Sequence, residues 1–570
     1  MNPPRRFRKY GGSRLSGGPG AMTFALGEYR TRTAERTQAW EGCGYLRRLW
    51  AKDPTLWASG PTPEISNRLG WLNLPERMTP RLAGLKTFAE DIEDEGFTHA
   101  VLLGMGGSSL APEVFQKTFG AAPGCPELIV LDSTHPAAVA AVERRIDLER
   151  TLFVVSSKSG TTIEPLSFFR YFWARASRAG GPPGRRFIAV TDAGTPLATL
   201  AAERGFRSVF EADPDIGGRY SALTEFGLLP AALIGLDTSR LLASAADEAR
   251  ANGPGIPEGK APGLLLGAAL GEIASARNKL TVMTSPSLRT FPDWLEQLLA
   301  ESTGKNGKGI IPVAGEPALP AGRYGPDRVF VTIVSDADSG REVEGRAASL
   351  EKAGHPVIRV RMPDAYALGR EIFRWEVAVA AAGSVLGIHP FNQPDVELAK
   401  KLAREAMARG ASGGAGKASP EEGVPADDPA AIRPAFDGWL GRARPGDYIA
   451  LQAYLAPDDE MTKALQNLRL ALLEKTGLAT TLGYGPRFLH STGQLHKGGP
   501  DEVLVLQLVD DPGRDLAVPE TDFSFGALIE AQALGDFQAL RQRGRRVLRV
   551  NLKADPAGGV GLLEKLAGSG

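Results

Sequence analysis

The stretch 151–165, TLFVVSSKSGTTIEP, decides how the rest of the chain is read. An apolar run ending at Val155 breaks into seven small, polar or glycine residues, and a helical pattern begins at Ile163. A short apolar run bounded by turn residues reads as a strand buried on both faces, which is the habit of parallel sheets. Such sheets bind ligands beyond the carboxyl ends of their strands. Gly160 lets backbone approach closely, and the following helix aims free N–H groups at the loop. Ser157, Ser159, Thr161 and Thr162 offer hydroxyl donors and Lys158 offers charge. The string therefore points to a bound phosphate, against the plainer reading of a helix N-cap with solvated hydroxyls.

The same rhythm extends in both directions. THAVLLGMG (98–106), ELIVLDS (127–133), RFIAVTDA (186–193) and RSVFEAD (207–213) read as strands separated by helix-length intervals. Residues 266–300 read as mostly helical apart from KLTVMTS (279–285), and a second series follows in RVFVTIVSDAD (328–338), PVIRVRM (356–362), YIALQAYL (448–455), VLVLQLV (503–509) and RRVLRVNL (545–552). Two α/β layers with mainly parallel sheets account for both series: a first domain at 98–265 and a second at 266–570. Residues 23–97 read as a helical N-terminal segment with Trp-rich loops. Residues 1–22 read as a disordered basic tail ahead of a start at Met22, and the Gly- and acid-rich stretch near 409–433 as a mobile loop with helical insertions around it.

Composition narrows the function classes. The 570 residues are 43% apolar and 23% charged, and 66 Lys and Arg balance 66 Asp and Glu. No global field favours nucleic acid or a membrane surface, so an anionic ligand must be caught locally. Cys43 and Cys125 permit neither a disulfide framework nor a cysteine metal site. With no signal-peptide core and no apolar run long enough to span a bilayer, a cytoplasmic protein is expected.

Other strings carry chemistry. GMGGSSLAP (104–112) repeats the logic of strand, Gly–Ser loop and helix, placing Gly107 and Ser108 beside the first loop. Neither loop has P-loop spacing, which argues for a small phosphorylated molecule rather than a nucleoside triphosphate. On a helix from Trp294, Glu301 falls about 20° from Trp294 and about 60° from Leu298, at the rim of the apolar stripe. There it is either a base facing a cleft or a surface carboxylate near a helix end. Gln297 lies one turn earlier on the same face. Arg219 follows Gly217 and Gly218, a setting for close approach to a ligand or for an ordinary ion pair. Lys400 stands at the edge of an apolar arc formed by Val396, Ala399, Ala403 and Met407, while Lys401 points to solvent.

GMGGSSLAP, SSKSGTT, GGRYSALTEFGLLP (217–230), LLAESTGKNGKGI (298–310) and FNQPDVELAK (391–400) resemble the signature strings of glucose-6-phosphate isomerases. The Trp-rich N-terminal segment and RFLHSTGQLHKGGP (487–500) resemble the isomerase half of fused transaldolase/glucose-6-phosphate isomerase proteins. The resemblance runs from about residue 40 to the C-terminus. It implies two sugar-isomerase (SIS) domains with a site between them, and reversible interconversion of glucose 6-phosphate and fructose 6-phosphate in glycolysis and gluconeogenesis. No metal and no cofactor are implied, and a homodimer or larger homo-oligomer is.

It further implies Glu301 as the carboxylate that moves the proton between C2 and C1, Arg219 as the enediolate's counter-charge, and Lys400 as a ring-opening or substrate-contacting lysine. His490, preferred to His496 by the LHSxGQ string, would open the ring. In shorter family members that histidine precedes the lysine motif, whereas here it follows by about ninety residues. Rival readings are a dual phosphoglucose/phosphomannose isomerase, a non-catalytic SIS sensor lacking the acid/base set, and a metal-dependent isomerase of another fold.

Overall fold

A computed structural model describes residues 22–60, 62–411 and 423–568. The described chain has fifteen strands: β1 (Met22–Ala25), β2 (His99–Leu103), β3 (Glu127–Leu131), β4 (Thr151–Ser156), β5 (Phe187–Asp192), β6 (Ser208–Ala212), β7 (Lys279–Thr284), β8 (Ile311–Ala314), β9 (Arg328–Ser335), β10 (Val357–Met362), β11 (Val424–Pro425), β12 (Tyr448–Tyr454), β13 (Ala479–Tyr484), β14 (Val503–Val509) and β15 (Arg546–Asn551). They form three five-stranded sheets, ordered β3-β2-β4-β5-β6, β1-β10-β9-β7-β8 and β11-β15-β14-β12-β13. Every pairing among these strands is parallel except that of β1 with β10.

The three sheets repeat one plan. With the added edge strands β1 and β11 set aside, the first strand of each sheet lies between the second and the third, so the order reverses beside β2 and β4, β7 and β9, and β12 and β14. Chain entering from either side leaves a crevice at the carboxyl ends of each such pair.

Several expectations are corrected here. The second strand series does not make one layer but two, divided between the second and third sheets. Residues 23–97 are mostly helical but open on a strand, because Met22–Ala25 closes the free edge of β10. The segment near 409–433 is not one loop. The helix Glu397–Ala411 enters it, β11 pairs with β15, and the helix Pro429–Leu440 leaves it. Residues 1–21 and 412–422 lie outside the described residues. Among the described residues no helix is long and apolar enough to cross a membrane.

Alternate side chains of the first sheet enter opposite cores. Ala100, Leu102, Leu152, Val154, Ile188 and Val190 join a core shared with the second sheet, whereas Val101, Leu103, Phe153, Val155, Phe187 and Ala189 face a separate, aromatic-rich one. This double-sided burial is why the sequence reads as apolar runs rather than alternation.

The second and third sheets abut through their edge strands β8 and β13. Ile311 and Val313 pack with Tyr448, Ala450 and Ala479. A buried polar knot fixes the junction. Arg328 and Glu316, each with 1% of the side chain exposed, form an ion pair. The Glu316 carboxylate also accepts from Thr480 N at 2.8 Å, and Arg469 donates to the carbonyls of Ala314 and Gly315 at 2.9 Å. Arg328→Met should therefore destabilise the protein by about 3–5 kcal/mol, because it strands a buried carboxylate. Adding Glu316→Gln should recover part of the loss. Denaturant unfolding midpoints of the single and double variants test this, and an unchanged midpoint for Arg328→Met would remove the pair from the junction.

Candidate active site

The two Gly–Ser loops read as anion sites leave β2 and β4 at the reversal point of the first sheet. Gly107 packs so tightly that a Cβ there would collide with the carbonyl of Gly218, which locks the first loop to the turn carrying Arg219. Gly160 has φ +68°, and a Cβ on it would lie 2.8 Å from the backbone nitrogen of Leu197. Ser157 donates to Thr162 Oγ1 at 3.1 Å, and Ser159 shares a hydrogen bond with Thr161 at 3.0 Å. The Thr162 side chain does not cap the helix Ile163–Ala176, so the first N–H groups of that helix face the loop without a side-chain acceptor. Ser108 is buried, and its carbonyl accepts from Ser156 at 3.4 Å.

Lys158 differs from the sequence reading. Its ammonium turns away from the hydroxyls and pairs with Asp192 at 2.6 Å, with the Asp213 carbonyl at 3.2 Å. Its charge ties the loop to β5 instead of facing an anion.

Arg219 is 3% exposed and every branch of its guanidinium is engaged. Nε donates to Ser302 Oγ at 2.9 Å, Nη2 to the carbonyls of Pro390 and Asn392 at 2.8 and 2.9 Å, and Nη1 to Gln393 Oε1 at 3.1 Å. Nη1 also lies 3.2 Å from Glu301 Oε1, an ion pair at the edge of the cleft. The helix Phe291–Thr303 presents both Glu301 and Gln297, while Trp294 and Leu298 are buried as the periodicity requires. The Gln297 amide donates to Glu301 Oε2 at 3.3 Å and to the His490 carbonyl at 2.7 Å.

The N-terminal segment holds this arrangement from below. Gly70 N donates to the Asp215 carbonyl at 3.0 Å, Trp71 stacks on Tyr220 with centroids 5.2 Å apart, and Trp57 meets Phe391 edge-on at 4.9 Å. The Trp-rich loops thus brace the residues flanking Arg219 and its acceptors.

His490 follows β13 of the third sheet and reaches the first. Its Nε2 lies 3.0 Å from Glu164 Oε1, which also accepts from Gln532 Nε2 at 2.7 Å. Burial works to raise the Glu164 carboxyl, but the charge and hydrogen bond of His490 hold it below the ordinary carboxylate value. His496 is different in kind: burial, with Lys497 and Arg545 nearby, pushes it down to about 3, and Gln452 Nε2 lies 3.1 Å from its Nδ1. It is a neutral core residue.

Lys400 does not join the cluster by contact. Half its side chain is exposed, and its ammonium pairs with Glu397 at 2.8 Å, though its charge is felt by Glu164. Lys401 is more exposed still and faces Glu405.

Glu164, Gln532, Gln393 and Lys305 were missed by sequence reasoning. Glu164 stands inside the opening stretch itself, but as a carboxylate in the first turn of a helix it reads as a dipole partner. Lys305 is 3% exposed and donates to the carbonyl of His389 at 2.7 Å; burial, then the charge of Arg219, drives it well below the usual lysine value. The arrangement brings a carboxylate, a guanidinium and a carboxylate-held imidazole to the ends of two Gly–Ser loops. That set suits proton transfer on a phosphorylated carbonyl compound.

The family described as Phosphoglucose isomerase matches residues 83–311. The glucose-6-phosphate isomerase of Enterococcus faecalis is 30% identical over 384 residues, spanning 58% of this chain and 85% of that protein. That of Rubrobacter xylanophilus is 29% identical over 392 residues, spanning 60% and 89%. A solved structure of a hypothetical protein from Thermus thermophilus matches with a TM-score of 0.59 and 26% identity, covering 68% of this chain and 100% of that one.

The buried His496 and the half-buried His389 set a pH dependence. His496 near 3 and His389 near 4, the latter lowered by burial and by the Lys305 and Arg219 charges, both sit below the ordinary 6.5. The unfolded chain then binds more protons in this range, so this stability is whole above about pH 6.5 and is lost as pH falls toward about 4. His496→Gln should flatten the fall of the denaturation midpoint between about pH 7 and about pH 4 by roughly one proton's worth. An unchanged slope would mean that His496 is protonated in the fold.

Proposed function

The chain belongs to the phosphoglucose isomerase family, and on that premise we propose how its residues divide the reaction. The enzyme interconverts glucose 6-phosphate and fructose 6-phosphate. The observation that supports the assignment is the Gln297 amide, which donates to the Glu301 carboxylate and to the backbone carbonyl of His490 and so ties the segments bearing both groups to one side chain.

The substrate phosphate lies on Ser157, Ser159, Thr161, Thr162 and the free start of the helix Ile163–Ala176, with Gly107, Ser108 and Gly218 lining its approach. Lys158 contributes by holding that loop in shape. His490, oriented by Glu164, moves the proton between the ring oxygen and the C1 hydroxyl. Glu164 is a positioning residue, since it acts through the imidazole. His490 serves its own chain, a reading supported by its 3.0 Å contact with Glu164. Lys400 is assigned to the substrate by the family resemblance, a role supported by its charge being felt at Glu164.

Glu301 then takes the proton from C2 and returns it to C1. As it does so its own charge vanishes and an equal charge develops on the enediolate. The negative charge thus moves a short distance within the field of Arg219, whose many acceptors keep the guanidinium from reorganising. A preorganised counter-charge of this kind lowers a barrier more than a mobile one.

Two experiments test the division. Glu301→Gln keeps size and hydrogen bonding but removes the base, so kcat should fall by about 10²–10⁴-fold while fructose 6-phosphate still binds. Wild-type turnover in D₂O should label C2 of glucose 6-phosphate and C1 of fructose 6-phosphate, and the Gln variant should label neither. Retained exchange in the variant would exclude Glu301 as the base. On cyclic glucose 6-phosphate, His490→Ala should slow turnover far more than His496→Ala, and the reverse order would transfer ring opening to His496. Mannose 6-phosphate in the same assay separates this activity from the dual-specificity alternative.

A further inference from the structure

The third sheet carries a cavity of its own. It measures about 590 Å³ and lies beyond the carboxyl ends of β12, β14 and β15, walled by Tyr454, Val509, Asn551 and one side of the helix Phe525–Gln542. This is the crevice at which the third sheet reverses its strand order, the same position from which the first sheet launches its anion loops. Its size falls within the range of small-molecule sites, about 300–1,000 Å³.

The lining chemistry is unlike that of the anion loops. Asp510, Asp511, Asp515 and Glu530 line the space together with Arg549 and Lys553, of which Lys553 pairs with Asp511 at 3.8 Å and Arg549 donates to Gln507 at 2.9 Å. The helix start offers an anion little, because Asp515 already accepts from Gly526 N at 2.7 Å and Ser524 from Ala527 N at 3.2 Å. With Asp515 offset by those N–H groups, three carboxylates stand against two cations, a field that repels phosphate and holds no strong bias for a bare amine. Asp510 and Asp511 are steadied by His135 and Asn551 at 3.3 and 3.2 Å, yet each carboxylate has further lone pairs to accept hydroxyl groups. Ile529, Ala533 and Pro512 give the apolar surface that the C–H face of a ring requires. The hydroxyl of Tyr454, a residue 2% exposed and part of this wall, has no hydrogen-bond partner among the described residues. A buried hydroxyl in that state gains from a ligand that supplies one.

We propose that this cavity binds a neutral, unphosphorylated molecule bearing vicinal hydroxyls, either a free sugar or the ribose of a nucleoside. The site is separate from the catalytic cleft: the same helix turns Ile529 and Ala533 to the cavity and Gln532 to Glu164.

The full chain carrying Glu301→Gln, in which turnover is expected to be slowed by about 10²–10⁴-fold, is titrated by calorimetry and ligand-observed NMR with glucose, fructose and adenosine. At least one should bind saturably in the millimolar range or tighter, and binding should persist when fructose 6-phosphate is saturating. Ala527→Trp, at an exposed helix position on the cavity wall, should weaken that binding by at least about tenfold. Glu530→Ala, also exposed, should weaken it without loss of the fold. Glucose or fructose alone, or adenosine alone, identifies the source of the hydroxyls. Displacement by fructose 6-phosphate would place the ligand in the catalytic cleft and overturn the proposal. So would unaltered affinity in both variants, saturable binding of putrescine with none of the three, or no binding by any of them.

Discussion

The guanidinium of Arg219 is the point on which the site turns. Buried almost completely, it satisfies its donors on Ser302, Pro390, Asn392, Gln393 and Glu301, and so joins three segments far apart in sequence. A buried charge is tolerable only when it is paired and hydrogen-bonded, and here those partners are also the walls of the cleft. The surrounding structure can be read as what this requirement demands. Gly107 lies against Gly218 so that the turn bearing Arg219 meets the first anion loop, and Trp71 stacks on Tyr220 to stop the turn from moving.

Three sheets of one strand order share the work unequally. The first supplies the Gly–Ser loops after β2 and β4, the second the helix with Gln297 and Glu301, and the third His490 and Gln532. No single sheet carries Glu301, Arg219 and His490 together, since each contributes only the loops and helices at one edge of its own strands. The junctions between sheets therefore matter as much as the sheets. The knot of Glu316, Arg328 and Arg469 fixes the third sheet on the second, and the contact of His490 with Glu164 links the third to the first.

The strands that sequence reading missed were β1, β8, β11 and β13, and each lies at the edge of its sheet. Central strands of a parallel sheet are buried on both faces and announce themselves as apolar runs. Edge strands have one open side, tolerate residues such as Pro312, Pro425 and Thr480, and can be as short as Val424–Pro425. Losing those edges also hid the third sheet, because its remaining strands continue the rhythm of the second.

Within the sequence alone lay the parallel α/β class, the Gly–Ser loops that follow β2 and β4, and the face that pairs Gln297 with Glu301. All of these rest on local signals: periodicity, glycine next to strand ends, and residues one helical turn apart. The resemblance to known isomerases added Arg219, Lys400 and His490, residues whose neighbours in sequence say little about what they face. Only the tertiary structure could show that Glu164 holds His490, that Lys158 turns to Asp192, and that His496 is a neutral core residue while Lys400 stays at the surface. A side chain's partner across 34 or 326 positions depends on how sheets dock, and no local pattern encodes that distance.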